Sequence, residues 1–172
     1  MLEIRLKGKQ KTYFRILVFL IKFNIFAIPL YIALWLNIQI FELQLITAQI
    51  VESLLLSSSI AAVRDGILIS IPIVNGNWGA QIIWDCIGWK SFLAYLALVF
   101  ATDFSLKNKL KGLIFLPVIS FVNIIRIWFM FYFVYNFGLT HYQAVHGIVW
   151  SWGLIITVVV LWSIWMKIFR EK

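Results

Sequence analysis

One cysteine, two histidines and seven acidic residues are all that this 172-residue chain offers of the side chains from which most soluble active sites are built. A lone cysteine excludes an intramolecular disulfide, so Cys86 is a free thiol unless it pairs between chains. With only His141 and His146 beside it, the donor set is too sparse and too widely spaced for a metal site, and no cofactor is expected. Charge is scarce altogether, at 13% of residues against 63% hydrophobic, and mean hydropathy is +0.94. A soluble domain of this length could not hide so much apolar surface, so lipid is the expected solvent. Low-complexity tracts, internal repeats and signs of a second domain are missing too, and residues 1–172 read as a single membrane domain. The first apolar run is long and no small-residue cleavage site follows it, so it reads as an anchor rather than a signal peptide.

What is present is a set of long apolar runs. A spanning helix needs about 20 mostly apolar residues. Four segments are candidates, Phe14–Leu36, Cys86–Ala101, Leu113–Tyr135 and Gly147–Met166. The second is short by that measure. The expected fold class is an all-α integral membrane protein: a bundle of about four transmembrane helices, a re-entrant or interfacial helix, and a small extracytoplasmic cap.

Basic residues orient the bundle. Arg5, Lys7, Lys9, Lys11 and Arg15 precede the first run, Lys107, Lys109 and Lys111 separate the second from the third, and Lys167, Arg170 and Lys172 follow the fourth. With four spans all of these fall on one side, which the positive-inside rule makes the cytoplasm. Both termini are then cytoplasmic, in a multi-pass protein of the plasma or inner membrane. Glu42, Glu52, Asp65 and Asp85 lie opposite, with Arg64. The net charge of +8 thus reports topology and anionic lipid heads. Short juxtamembrane clusters do not make a docking face, so no nucleic-acid partner is expected.

Residues 37–85 are the irregular part. Phe41–Val63 is apolar enough for a helix but carries Glu42, Gln44, Gln49, Glu52 and several serines. A full span here would put Lys107–Lys111 on the wrong side, so an interfacial or re-entrant helix is expected. Gly66–Val74, Asn75-Gly76-Asn77 and Trp78–Trp84 read as a hairpin, a signal that Pro72 weakens unless it places the first strand on an edge.

Three polar residues interrupt otherwise apolar runs: Cys86, Arg126 and His146. In the four-span topology all three reach the outer half of the membrane. Arg126 lies about nine residues, or roughly 14 Å of helix, before Tyr135, and its side chain can snorkel upward. Each has a structural reading: an inert buried thiol, a guanidinium paired with a carbonyl or carboxylate, a solvated helix start. A mid-membrane guanidinium nevertheless costs on the order of 3 kcal/mol, which argues for a polar interior and a function. Together the three are the parts of a cysteine acyl-transfer site. A free cysteine near pKa 8.5 is mostly protonated at neutral pH, and a nearby cation would favour the thiolate. Lys90, at i+4 on the same helix face, is one candidate cation and Arg126 another. His146 would take the thiol proton and return it to a leaving amine. Arg126 would hold an oxyanion. Asn123, one turn before Arg126, would orient it or bind a substrate carbonyl. Asp85 would orient His146 or cap a helix. His141 competes with His146 but falls in the loop 136–143.

The order Cys86-Ile87-Gly88, then Asn123-Ile124-Ile125-Arg126, then His146 at the start of the last run resembles the archaeosortase/exosortase family. Lys90 matches a position that is often basic there, whereas Ile87 stands where a small residue is usual. The similarity runs from about Val74 to Trp162. It implies a membrane-embedded cysteine protease and transpeptidase that recognises a C-terminal sorting signal made of a short motif, a transmembrane helix and a basic tail. Such enzymes cut on the outer side and pass the new C-terminus to a lipid or another surface acceptor. By this resemblance Cys86 is the nucleophile, Arg126 the oxyanion stabiliser and His146 the acid/base. A non-enzymatic subunit that binds a partner's transmembrane helix through Arg126 is the alternative. A small transporter using Arg126 and His146 is disfavoured by the lack of a broken-helix pair.

Overall fold

A computed structural model describes residues 8–74 and 76–169. Arg5, Lys7, Asn75, Arg170 and Lys172 lie outside the described residues. The chain runs α1 (Gly8–Phe26), α2 (Ile28–Trp35), α3 (Phe41–Ser57), β1 (Val63–Asp65), β2 (Leu68–Ile73), β3 (Gly76–Gln81), a one-turn 3-10 helix (Trp84–Ile87), α4 (Trp89–Ala101), α5 (Leu106–Gly112), α6 (Leu116–Phe137) and α7 (Tyr142–Phe169).

The protein is a predominantly helical membrane protein, and its helices differ in how well they meet the length of a span. Leu106–Phe137 and Tyr142–Phe169 are long and apolar enough to cross a membrane. The first expected span is two helices, α1 and α2, bent by 42°. Pro29 stands in the first turn of α2, where its ring removes a backbone donor and crowds the preceding turn, so the chain breaks at Ala27. Counted as one element, this pair makes a third candidate span. The second expected span is shorter than its apolar run. Helix α4 has 13 residues and begins at Trp89, because the chain at Cys86 is still in the 3-10 turn.

Helix α3 ends at Ser57, earlier than Val63, and buries one face through Gln44, Thr47, Ala48, Val51 and Leu55. Their spacing follows the helical period. This face packs on α6 and on the 3-10 turn. Beyond α3 the chain forms a three-stranded antiparallel sheet in the order β1-β2-β3. The hairpin is present with two corrections. Ile73 pairs with Gly76, so Gly76 already belongs to β3 rather than to the turn. Strand β2 is central, not an edge; β1 is so short that it covers only Leu68–Ser70, and Pro72 lies past its end, where β2 has one neighbour.

Two apolar clusters hold the bundle. Ile69 and Ile71 on the inner face of β2 pack with Val51 and Leu55 of α3, Ile127 and Phe131 of α6, and Cys86. Tyr95 and Val99 of α4 pack with Ile119, Val158 and Trp165. At this second end the Tyr95 hydroxyl donates to the Gly112 carbonyl at 3.0 Å, and the Lys22 ammonium pairs with Asp103. The sheet is thus fastened at the end of the bundle that carries the cysteine.

Candidate active site

Cys86 sits in the 3-10 turn because the chain must reverse between β3 and α4. Its amide donates to Ile83 O at 2.8 Å, closing the turn, and Gly88 leaves it with φ +79°. A side chain at that φ is strained, and a Cβ on Gly88 would also stand 3.0 Å from Asn123 Cγ. The space is needed because the Asn123 amide fills it, donating from Nδ2 to the Cys86 carbonyl at 2.8 Å. Asn123 is 2% exposed. It therefore neither binds Arg126 nor faces the cavity around the thiol; it holds the backbone of the cysteine turn.

Arg126 follows Asn123 by three residues on α6 and is buried. Its guanidinium carbon lies 4.2 Å from the Trp150 ring centre, and Nη1 donates weakly to Trp150 O at 3.4 Å. Nε and Nη2 are buried without a partner among the described residues. Helix α7 begins at Tyr142, five residues before the expected Gly147, so His146 lies inside the helix and one turn before Trp150. The imidazole stacks on Trp150 at 5.0 Å and lies 5.3 Å from the Tyr142 ring. Tyr142 in turn meets Trp78 of β3 edge-on at 5.3 Å, and Trp78 meets Phe131 of α6.

These groups enclose one cavity of about 350 Å³, whose wall includes Cys86, Arg126, His146, Asp85, Tyr142 and Trp150. Two supporting roles change. Lys90 does not share a helix face with Cys86, because Gly88 breaks the helix between them; its ammonium pairs with Asp85 at 2.9 Å, both half-exposed. Asp85 makes no helix-capping bond, and its recorded partner is Lys90 rather than His146. His141 is exposed in the turn before α7 and lies outside the cavity wall. Among the described residues no group of three or more His, Cys, Asp or Glu side chains is placed to hold a metal ion.

A family model for transmembrane exosortases matches residues 8–166. The chain belongs to the transmembrane exosortase family. Among curated proteins and among solved structures, nothing matches it.

In this exosortase burial keeps the thiol in its protonated form. Burial pushes the Cys86 pKa above its ordinary value; a backbone hydrogen bond at Ile83 and the Arg126 charge draw it back, and the Asp85 carboxylate adds to the rise. The thiol is within 3.9 Å of Gln81 O, a long contact suited to S–H donation. At neutral pH Cys86 is therefore a thiol that must give up its proton to react.

Trp150, Tyr142 and Trp78 are the site residues that motif reading passes over. Tyr142, His146 and Trp150 fall at i, i+4 and i+8, one stripe of a helix, and that spacing is the signal that marks them. Trp78 carries no such signal, since its place depends on how β3 docks against α6 and α7.

Proposed function

We propose that this exosortase is a membrane-embedded cysteine peptidase and transpeptidase that cleaves the C-terminal sorting signals of surface proteins and transfers the new C-terminus to a lipid or another surface acceptor. The observation that supports it is the shared cavity of Cys86, Arg126 and His146, three residues from separate segments of an otherwise apolar chain. The cavity faces outside, both termini lie in the cytoplasm, and α4 crosses the membrane as the second of four spans. The sorting-signal helix of the substrate lies in the same membrane.

The steps follow from the side chains. His146 takes the Cys86 proton as the sulfur attacks the scissile carbonyl. The carbonyl oxygen becomes an oxyanion, and Arg126 meets it with Nε–H and Nη2–H, donors that have no partner among the described residues. The imidazolium gives its proton to the leaving amine, and the C–N bond breaks to leave a thioester on Cys86. An acceptor hydroxyl, amine or water then attacks the thioester, His146 takes the acceptor's proton, and the thiol is restored. The stacked Trp150 holds the imidazole and the guanidinium on one ring, which reduces the freedom each must lose on reaching the transition state.

Processing of a tagged sorting-signal protein by Cys86→Ala and Cys86→Ser tests this. Loss of cleavage with normal protein level is expected. Unchanged cleavage removes Cys86 as nucleophile and favours the other use of the unpartnered Arg126 donors, pairing with an acidic group on a partner's transmembrane helix.

A further inference from the structure

The two edges of the three-stranded sheet differ. At one edge β1 has only three residues, Val63, Arg64 and Asp65, and the Arg64 Nε donates to Glu52 of α3 at 2.7 Å. A strand so short and so charged offers little to a second chain. The other edge is β3, which reads Gly76-Asn77-Trp78-Gly79-Ala80-Gln81, with no charge and no proline. The charged residues and prolines that usually guard an edge strand are missing from it.

The direction of the β3 backbone groups follows from its register with β2. The Ile82 amide donates to Ile67 O at 2.9 Å, and bonded and non-bonded pairs alternate along an antiparallel ladder. The bonded pairs are then Ile67 with Ile82, Ile69 with Ala80, Ile71 with Trp78 and Ile73 with Gly76. Pro72, which has no N–H to give, falls opposite Asn77 in a non-bonded pair, as this alternation requires. Asn77, Gly79 and Gln81 therefore turn their N–H and C=O groups away from β2, toward the open edge. All three residues are exposed, and at Gly79, which has no side chain, the exposure is that of the backbone. Among the described residues no backbone group bonds to them from that side. At the far end of the edge the Cys86 sulfur lies 3.9 Å from Gln81 O, which confirms that this carbonyl points off the sheet. Trp78, Ala80 and Gln81 also line the catalytic cavity, so the open edge leads to the reacting sulfur.

We propose that β3 is the substrate-docking strand: the extended segment just ahead of the scissile bond adds to the sheet beside Asn77, Gly79 and Gln81, parallel to β3, and backbone hydrogen bonds deliver it to Cys86. This rests on the peptidase reading of the site. The cut falls at Cys86, at the Gln81 end of β3. Beyond the cut the substrate enters its transmembrane helix, as this chain passes from Cys86 into α4. The paired part is accordingly the one before the cut, and it runs in the direction of β3. Asn77 to Gln81 covers about 13 Å of extended chain, so about four substrate residues pair. Successive side chains of a strand point to opposite faces, so every second one lies beside Trp78 and Ala80 and enters the cavity. Trp78, Met130, Phe131 and Tyr142 make that wall apolar, which selects apolar groups at those alternate positions. The residues between them face solvent with Asn77 and Gln81.

The probe is a tagged surface protein of the same cell that ends in a sorting signal, its cut site first mapped by mass spectrometry of the product. In membranes holding the full-length protein with Cys86→Ser, one cysteine is walked through the probe and disulfides are trapped. Asn77→Cys is expected to trap a position about four residues ahead of the cut, and Gln81→Cys a position next to it. The reverse order, trapping only beyond the cut, or no trapping at either position overturns the proposal. A disulfide between the β3 strands of two copies, with the probe excluded, replaces the substrate with a second copy. Kinetics with Cys86 restored give a second measurement. Asn77→Pro removes an edge-facing N–H and spares the bonds to β2, whereas Asn77→Ala keeps that N–H. Asn77→Pro is expected to process the probe about fivefold less well than Asn77→Ala, with the difference in KM. Cys86 alkylation at the same rate in both shows that the proline has left the site intact. Equal processing by the two variants, in an enzyme that Cys86→Ala inactivates, overturns the docking strand and leaves the peptidase reading standing. Cleavage that survives Cys86→Ala, or a wild-type protein that does not cut the probe, overturns the peptidase reading and the docking strand with it.

Discussion

Asn123 and Cys86 are joined by a single hydrogen bond, from the Asn123 side-chain amide to the Cys86 carbonyl at 2.8 Å. The Asn-x-x-Arg and Cys-x-Gly segments are consequently two halves of one structural unit. One places the guanidinium and fastens the turn; the other supplies the thiol and, at Gly88, the gap into which the amide fits. Asn123→Leu leaves a buried carbonyl unmet, which costs about 1–3 kcal/mol, and a denaturation midpoint in detergent will register it. Gly88→Ala should be destabilising for two reasons, φ and contact. In the double variant Asn123→Ala with Gly88→Ala the contact is relieved, so the two costs should sum to more than the pair shows. Strict additivity would mean that the amide does not occupy the gap.

Trp150 is a positioning residue for both Arg126 and His146. Trp150→Phe keeps a ring under each and should process substrate at a reduced rate. Trp150→Leu removes a cation–π contact of about 0.5–2 kcal/mol together with the imidazole stack, and should lower turnover more than apparent substrate affinity. Equal effects of Phe and Leu would show that the aromatic face is not what positions the pair.

The raised Cys86 pKa has a definite sign. At pH 7 the thiol form dominates, so alkylation by iodoacetamide should be slow and should climb as pH rises past the ordinary thiol range. Arg126 favours the thiolate, so Arg126→Met raises the pKa further and slows alkylation at fixed pH. Asp85 opposes it, so Asp85→Asn speeds alkylation. Rates of all three proteins across pH 7–10 check the order; identical profiles would mean that neither charge reaches the sulfur.

The orientation is open to a labelling experiment in a Cys86→Ser background. A cysteine at Gln143, in the first turn of α7, should react with a membrane-impermeant maleimide on intact cells. One at Lys109, in α5, should react only after permeabilisation. The reverse pattern inverts the protein in the membrane and puts the cavity on the cytoplasmic side.

What the sequence disclosed and what it hid follow from the range of the forces involved. Apolar runs are local and long, so the helices at 116–137 and 142–169 were legible. The kink at Ala27 was legible in principle, since Pro29 is a local cause, but hydropathy averages across it. Lys90 was misplaced because i+4 spacing assumes an unbroken helix, and Gly88 in the left-handed region breaks it. Pro72 suggested an edge strand, yet β2 became central because its neighbour β1 stops short of the proline. Cys86, Arg126 and His146 stood out as lone polar groups in apolar segments, a contrast visible without tertiary structure. The Asn123 role was hidden, since a bond between residues 37 positions apart in the chain leaves no periodicity to read.

The brevity of α4 has a mechanical consequence for the bilayer. Thirteen residues of helix rise about 20 Å, whereas the hydrocarbon layer of a typical bilayer is about 30 Å. With α4 as a span, the membrane beside Cys86 must thin, which shortens the path of a peptide from water to sulfur, or the turn must ride below the headgroups, which lengthens it. Membrane thickness then becomes a ruler for where the cut falls: short-chain lipids should raise the position of the sulfur relative to the surface, and long-chain lipids should sink it.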